Sequence, residues 1–542
     1  MSVANVNKSN PDNEKRNISW LPLIVVCVAQ IGTSGDNSVL SFATNQFIQN
    51  LHASMDQVQL ANIVYSLLAG ALMVFGGMLG IAKGFKKVFL AGAAFCAIGE
   101  LVAVLTPNML VMVWGARTIT GFGAALMIPS VLGIIVSLYQ GVDRVLAFGA
   151  VGSATGIAII VMPVGAGLIM DSSGYEAAFG AMVTWFTVVF IVGFFLIPEI
   201  KPNRLRVDYS GALFTFIGLV LFIIGCSKIS VWGFIAPMSA PFTVLGISPA
   251  LPMIVLGVIV MVLTLVYEKN VEKAKGAALI PQSFIRTRQV RDGLYVTGLI
   301  FAVVGVCLFI LPAWVQVVVA QSSTKSAVII VYLAVPMIVL SLVLPKKYSW
   351  LSPRGVVMVS SVLILLGFLV LIAALEPAGY SALVYPGMFL CGLGLGGYSA
   401  QSAMIVAAAL NSRDAAQSGG VQCSIRNVWQ AAGVAIVGAV FLFGMTANFK
   451  SRIEESTLPP QIKQTVASYK VVNVESTASM QARMQATGAA AEDVAKAVSI
   501  YQQAQVSSGR YAFIAAFIMV LLHMPGFIGI QTKGWSERKK KA

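Results

Sequence analysis

The sequence predicts an all-α polytopic membrane protein with about fourteen transmembrane helices. Of its 542 residues, 58% are hydrophobic and only 11% are charged, whereas a soluble domain carries about 25% charged residues. Apolar stretches of about 20 residues, long enough to cross a bilayer as helices, recur along the chain. Most of them are separated by short loops, so the chain is predicted to cross the membrane repeatedly.

The apolar stretches define the predicted spans in chain order. They lie near residues 20–42, 57–81, 88–106, 109–138, 145–170, 177–198, 209–230, 250–267, 293–320, 326–345, 355–375, 381–410, 416–445 and 511–531. Two longer segments interrupt the short loops. The charged segment 268–292 is predicted to be a cytoplasmic linker or surface helix. The segment 447–510 is predicted to lie outside, and its Ala-rich stretch 489–505 has helical spacing, compatible with a helical hairpin over the outer mouth.

Lysine and arginine residues cluster in alternate short loops, at 83–87, 201–206 and 346–354, and in the tail 538–541. This positive-inside pattern predicts that both termini lie in the cytoplasm. We therefore interpret the net charge of +15 as a determinant of orientation in the lipid bilayer. No nucleic-acid partner is expected. The polar residues 1–19 and the long first apolar run do not predict a cleavable signal peptide. We expect an integral protein of the bacterial cytoplasmic membrane, present as a monomer.

Several function classes lack their sequence signatures. All six cysteines fall within apolar spans and the two histidines lie far apart, so neither disulfides nor a metal site is predicted. There is no phosphate-binding Gly-x-x-x-x-Gly-Lys-Ser/Thr loop, so ATP is not the expected energy source and no cofactor is predicted. A channel would need a filter loop or an Arg-rich voltage helix. An enzyme is not expected either, because only Asp36 and Glu100 approach a cluster of catalytic residue types at one depth.

Fourteen spans divide into six, two and six, which predicts two related bundles with a binding site between them. The Gly-rich segment 121–125 of the fourth span has a counterpart at 392–397 in the twelfth. The predicted domains are a cytoplasmic tail (1–19), an N-terminal bundle (20–206), two additional helices (207–267), a linker (268–292), a C-terminal bundle (293–531) and a basic tail (532–542).

Two motifs give the chain a family resemblance. The fourth span contains Arg117-Thr-Ile-Thr-Gly121-Phe-Gly123-Ala-Ala, and the first contains Asp36-Asn-Ser-Val-Leu-Ser-Phe-Ala43. Both resemble signatures of the major facilitator superfamily, specifically its fourteen-span drug:proton antiporter branch. The resemblance implies the major facilitator fold, two six-helix bundles plus two extra helices, and a proton gradient as the energy source. Gly121 and Gly123 also fit a small-residue face for close helix packing.

The loop after the second span resembles the gate motif of the same family only in part. Gly77, Gly84 and Lys86 match it, whereas Ile81 and Ala82 replace its aspartate and first arginine. In the family that carboxylate helps latch the cytoplasmic gate. Its replacement implies a latch that is weaker or built differently.

The fifth span resembles the antiporter motif, also in part. Pro163, Gly165 and Gly167 follow the pattern, but Gly174 and Tyr175 replace the Trp-Arg that typically follows. Proline and glycine here are expected to kink the helix and to permit close contact between the bundles.

Three ionisable residues lie at one depth inside the membrane. Asp36, Glu100 and Arg117 are each roughly 9–10 Å below the outer boundary of their spans at 1.5 Å per residue. Charges at one depth can pair, and intramembrane charges commonly mark ion or proton paths. We predict a proton-coupling cluster in which Asp36 or Glu100 gains and loses the proton. The alternative is a permanent ion pair that only orients the helices.

Arg426 lies about 16 Å into the thirteenth span, with Trp429 on the same helix face. It could contact an anionic ligand group, pair with the first bundle or bond to backbone carbonyls. The softer candidates for substrate binding, each with helix packing or an interfacial belt as the alternative role, are Tyr65, Trp314, Gln316, Tyr398 and Gln401.

The predicted function is proton-coupled secondary transport by alternating access, exporting hydrophobic or amphipathic compounds. Acidic residues in the first bundle favour a cationic substrate, whereas Arg426 leaves an organic anion, lipid-like metabolite or siderophore open. An alternative of another class is a membrane sensor or receptor that has a transporter fold but moves no ligand. The expected partners are a small-molecule substrate, protons and the lipid bilayer.

Overall fold

A computed structural model describes residues 19–139, 141–200, 202, 208–235, 237, 240–275, 282–348, 350–407 and 412–533. Most of the predicted N-terminal tail, most of the basic cluster at 201–206 and the tail beyond residue 533 lie outside the described residues. The described residues are almost entirely helical, as predicted for the all-α class.

The first bundle contains seven α-helices and a π-helical turn. They are α1 (Leu21–Phe42), α2 (Thr44–Asn50), α3 (Met55–Lys83), α4 (Phe85–Val104), α5 (Met109–Val111), the π-helical turn Met112–Arg117, α6 (Thr118–Leu138) and α7 (Gly141–Leu196). Helix α7 is broken at Gly174, whose φ of +85° lies in the region that favours glycine. The break divides α7 into the fifth and sixth spans.

The rest of the chain forms the two additional helices and the second bundle. The elements are α8 (Tyr209–Trp232), α9 (Ala250–Lys275), α10 (Gln282–Arg286), α11 (Arg288–Ala313) with the π-helical turn Trp314–Val318, α12 (Ser323–Lys347), α13 (Pro353–Ala374), the hairpin β1 (Leu375–Glu376) and β2 (Gly379–Tyr380), α14 (Val384–Ala407), α15 (Ser412–Glu454), α16 (Pro460–Ser468), α17 (Thr477–Gln485), α18 (Ala491–His523) and the 3₁₀ turn Met524–Gly529.

The helices have the length and composition of membrane spans. Within the part of the chain that is described, 11 helices are long and apolar enough to cross a bilayer. The two halves of α7, together with α1 and α14, bring the number close to the predicted fourteen. We call the end at which α1 begins and α18 ends the terminal face, and the end that carries residues 447–510 the loop face.

Close helix packing in the first bundle depends on glycine. A Cβ atom added at Gly76 of α3 would overlap the carbonyl oxygen of Ala125 in α6. A Cβ at Gly123 of α6 would lie 2.6 Å from the backbone nitrogen of Cys96 in α4. The packing face predicted from the fourth-span glycines is therefore present, and it draws α3 and α4 tightly against α6.

Helix α8 covers the seam between the bundles, because it packs against α3 of the first bundle and α15 of the second. Lys228 of α8 forms a largely buried ion pair with Asp56 in the first turn of α3. An anion is favourable at a helix N-terminus. The pair therefore fixes the additional helices to the first bundle at the loop face.

The segment 447–510 is a folded extension of the second bundle. Helix α15 continues to Glu454 and α18 begins at Ala491, so both helices project beyond the predicted spans. The helix predicted within 489–505 is confirmed, but it runs without interruption into the last span. Arg452 of α15 donates hydrogen bonds to Gln503 and Ser507 of α18, which fastens the two projections together.

Glu475 is the buried centre of this extension. Its carboxylate lies 3.3 Å from the Arg483 guanidinium, its backbone N–H donates to the Tyr501 hydroxyl, and its carbonyl accepts from Gln505. Burial raises the pKa of Glu475 above its ordinary value, and the neighbouring Arg483 opposes that rise only in part. The charged form is thus disfavoured in the folded extension.

A raised folded pKa gives the extension stability that is fully present below the ordinary pKa of glutamate and is lost as pH rises through the folded pKa. We expect Glu475→Gln to slow limited proteolysis of residues 455–490 at neutral pH, with the advantage fading toward roughly pH 4. Glu454→Gln, at an exposed position on α15, is the matched control. Faster cleavage of Glu475→Gln than of the control at neutral pH would show that the Arg483 contact outweighs burial.

Candidate proton-coupling site

Asp36, Glu100 and Arg117 meet inside the first bundle, and none of the three side chains is exposed. Arg117 Nη2 donates to Asp36 Oδ2 at 2.7 Å and Nη1 donates to Asp36 Oδ1 at 3.3 Å. A third, longer bond of 3.4 Å joins Nη1 to Glu100 Oε1. The pairing predicted from equal depth is present, and we call these residues the charged triad.

The local fold explains why Arg117 points at the two acids. The π-helical turn Met112–Arg117 ends at this residue, and such turns rotate the following helix face relative to a regular α-helix. One turn later, Gly121 packs against the backbone of Tyr65, with the Tyr65 carbonyl oxygen 3.0 Å from where its Cβ would lie. The π-turn and the glycine together bring α6 close to α1, α3 and α4.

Tyr65 belongs to the surroundings of the charged triad. The Arg117 guanidinium lies over its ring, 4.6 Å from the centroid, and its hydroxyl donates to the Thr33 carbonyl at 2.9 Å. A cation over a desolvated aromatic face is held favourably. The structure thus gives Tyr65 a contact with the triad, and its predicted part in substrate binding remains a prediction.

Arg426 lies in the first half of α15. Its guanidinium sits over the Phe301 ring at 4.1 Å, and no carboxylate among the described residues lies within ion-pairing distance of it. Trp429, one turn further on, packs against Tyr295 and His523 with ring centroids 5.2 Å and 5.0 Å away. The two residues therefore have different surroundings within the second bundle.

The other candidates for substrate binding are buried in the second bundle. Trp314 donates to the Gly379 carbonyl at 2.9 Å and so holds the β1–β2 hairpin, while the Tyr398 hydroxyl bonds to Ser361 at 2.7 Å. Gln401 is buried in α14. Gln316 differs, because neither atom of its buried amide has a partner among the described residues. Roles for these four in substrate binding remain predictions, and the contacts of Trp314 and Tyr398 are those of packing.

The gate-motif residues form a tight connection between α3 and α4. Gly84 has a φ of +96°, a conformation in which a side chain would be strained. A Cβ added at Gly77 would lie 3.5 Å from Pro129 Cβ of α6. Lys86 forms an ion pair of 3.6 Å with Glu199 at the end of the sixth span. This pair stays within the first bundle.

The antiporter-motif residues lie in the first half of α7, beside the second bundle. Pro163 is inside the helix, and no heavy atom outside the local helix lies within 4 Å of a Cβ built at Gly165. A Cβ at Gly167 would lie 3.1 Å from the backbone of Thr324 in α12. The close contact expected between the bundles is therefore made at Gly167.

A contact that the sequence analysis missed closes the loop face beside this motif. Asp171 accepts hydrogen bonds from the backbone N–H groups of Ser323 and Thr324, at 3.0 Å and 2.9 Å. The N-terminus of α12 is thus capped by a residue of the other bundle. On the second seam, Gln59 of α3 donates to the carbonyls of Val434 and Ala435 in α15. Both seams are hydrogen-bonded near the loop face.

Comparison with known proteins agrees with the family resemblance. Residues 26–248 match the family model described as Major Facilitator Superfamily. A probable actinorhodin transporter of Streptomyces coelicolor is 28% identical over 79% of this chain and 73% of its own length. A tetracenomycin C resistance and export protein of Streptomyces glaucescens is 24% identical over 83% of this chain and 81% of its own. Over residues 26–248 the chain is thus similar to the major facilitator superfamily.

The solved structures agree on the fold. A crystal structure of a peptide transporter in complex with sulfate aligns with this protein over 94% of the chain and 96% of its own, with a TM-score of 0.59 and 12% identity. At that identity the likeness concerns the fold alone. The predicted major facilitator fold is confirmed, and relatives named as exporters support the predicted drug:proton antiporter branch. The protein is an integral membrane transporter.

Proposed function

We propose that this protein is a proton-coupled secondary transporter that exports hydrophobic or amphipathic compounds. The observation that carries the proposal is the charged triad, in which one guanidinium faces two carboxyl groups and all three are buried. Buried charges are costly unless they are paired. A triad with two acids and one base therefore carries a net negative charge when both acids are ionised.

The geometry distinguishes the two acids. Asp36 takes both close bonds from Arg117, whereas Glu100 receives a single bond at 3.4 Å. Asp36 Oδ1 and Glu100 Oε1 both lie within 3.4 Å of the same Arg117 nitrogen, Nη1. Two carboxyl groups that close repel each other unless a proton lies between them. Glu100 is accordingly the proposed carrier of the exchangeable proton, and Asp36 is the fixed partner of Arg117.

Coupling follows because the triad joins three elements of one bundle. Asp36 is on α1, Glu100 is on α4, and Arg117 directly precedes α6. Loss of the proton leaves an extra negative charge among them, and its return removes that charge. Protonation thereby changes the free energy of conformations that expose the triad to water relative to those that bury it. The same step favours a cationic substrate when the triad is deprotonated.

Arg426 supports a second candidate function, the export of organic anions. It is a partly exposed cation without a nearby carboxylate in the described part of the chain. Intramembrane charges commonly face a substrate or ion path. An anionic or lipid-like metabolite could therefore bind between Arg426 and the first bundle.

A flux assay separates these functions. Proteoliposomes with an internal pH dye receive ethidium as the cation or fluorescein as the anion. Proton movement driven by ethidium, absent from empty liposomes, is the expected result. Movement with fluorescein alone, lost in Arg426→Gln, would instead establish the anion exporter. A sensor would bind a dye without moving either dye or protons.

A further inference from the structure

The 3₁₀ turn Met524–Gly529 and the residues after it line a cavity at the terminal face of the second bundle. The cavity has a volume of about 350 Å³ and is lined by Arg354, Lys533 and residues 529–532. It lies where α13 begins and α18 has ended, well away from the charged triad in the first bundle. Among the described residues, its lining contains two cationic side chains and no acidic one.

Arg354 is held in position for an anion. Its Nε donates to the Ile530 carbonyl at 2.9 Å, its backbone N–H donates to the Gln531 carbonyl, and its Nη2 donates to the Ile528 carbonyl. Nη1 has no hydrogen-bond partner in the described part of the chain. Because two of these contacts fix the side chain, little rotamer entropy remains to be lost when the free edge of the guanidinium binds a ligand.

One further feature adds positive potential. Helix α13 has 22 residues, and its N-terminus, capped by Ser352, begins immediately before Arg354; a helix N-terminus attracts anions. Behind Gly529, the Asp292 carboxylate and Arg288 of α11 both lie close to where a Cβ at that glycine would be. The nearest acid, Asp292, faces Arg288 at 4.0 Å. Arg288 offsets that charge, which leaves Arg354 and Lys533 unbalanced.

The side chains around the cavity are those of a membrane interface. Trp350, four residues before Arg354, is 60% exposed, and exposed tryptophans concentrate at headgroup level. Leu522 and Ile528, on the last turns before the cavity, are 72% and 59% exposed. Apolar side chains this exposed lie against lipid tails in a membrane protein. The cavity therefore opens at the level of the phospholipid headgroups.

From this arrangement we infer that the cavity binds the phosphate of an anionic phospholipid. The phosphate contacts Arg354 and Lys533, and the acyl chains lie along Ile528 and Leu522. Basic pockets between helices are suited to acidic headgroups. A free phosphate shares the charged part of this chemistry, but it would gain nothing from the exposed apolar side chains beside the cavity. A bound lipid would also join α13 to the end of α18.

The test is lipid binding by the purified full-length protein, measured by native mass spectrometry during titration with phosphatidylglycerol. Lys533→Gln removes an exposed cation, and we expect it to weaken binding about five-fold. Lys87→Gln removes an equal charge from an exposed position of the first bundle at the same face, and it should bind like wild type. Arg354→Gln/Lys533→Gln should lose binding, provided that its thermal unfolding stays cooperative.

Two other ligands show whether the cavity binds the phosphate of a phospholipid or a free phosphate ion. Phosphatidylcholine, which has no net charge, should bind more weakly than phosphatidylglycerol. Inorganic phosphate should not displace phosphatidylglycerol at equal concentration. Equal affinity of Lys533→Gln and Lys87→Gln for phosphatidylglycerol would overturn the inference. Displacement by inorganic phosphate would overturn it in favour of a soluble anion.

Discussion

Replacement of Arg117 by methionine is expected to destabilise the protein by about 3–5 kcal/mol, because it leaves Asp36 and Glu100 buried without a cation. Both acids are fully buried, so water cannot screen them. The Tyr65 ring also loses the guanidinium that lies over it. Thermal unfolding of the purified protein should begin at a clearly lower temperature than in wild type, and transport should be lost.

A matched variant separates charge imbalance from lost packing. Arg117→Met combined with Asp36→Val and Glu100→Leu removes the whole charged triad. Replacement of a complete buried ion cluster by apolar residues is often neutral or stabilising, so this variant should regain most of the lost stability while remaining inactive. If Arg117→Met alone unfolds at the wild-type temperature, the triad is not a buried charge network and the account of the site is wrong.

Replacement of Glu100 by glutamine is expected to abolish proton-driven accumulation while substrate exchange without a gradient continues. Glutamine resembles the protonated acid, so the triad stays balanced by the pair between Arg117 and Asp36. The conformational cycle remains possible, but no proton is released. Asp36→Asn should lose accumulation as well. In this variant Arg117 pairs with Glu100, so the one remaining acid stays ionised and no exchangeable proton is left.

Paired assays in proteoliposomes check this second prediction. Accumulation of labelled substrate under an imposed pH gradient should fall to the level of empty liposomes in both variants, and exchange should persist in Glu100→Gln. Glu199→Gln, an exposed acid that pairs with Lys86 at the surface, is the control and should behave like wild type. Retention of accumulation in Glu100→Gln would contradict the assignment and return the proton to Asp36.

Much of the fold could be predicted because the bilayer imposes a simple rule. Each span must satisfy its backbone internally and present about 20 apolar residues, so spans can be recognised from composition alone. The same rule allowed the residues of the charged triad to be recognised in the sequence. Asp36, Glu100 and Arg117 stand out against apolar neighbours, and equal depth predicted that they would pair.

Other features of the structure leave no recognisable pattern in the amino-acid sequence. The π-helical turn before Arg117 arises from packing rather than from a pattern, and the ring of Tyr65 could not be assigned to the triad from its position in α3. Asp171 falls between the predicted fifth and sixth spans, and nothing in the sequence identifies it as the cap of α12 in the other bundle. The extension at 447–510 lies beyond the predicted spans, and Glu475 is buried there by tertiary contacts that no sequence periodicity reveals.

Proton release on substrate binding tests the central claim most directly. Purified protein in weakly buffered detergent solution is mixed with a substrate found in the flux assay, and the pH change is recorded. Wild type should release protons on binding, whereas Glu100→Gln should bind the same substrate and release none. Equal proton release by both proteins would contradict the proposal that Glu100 couples export to the proton gradient.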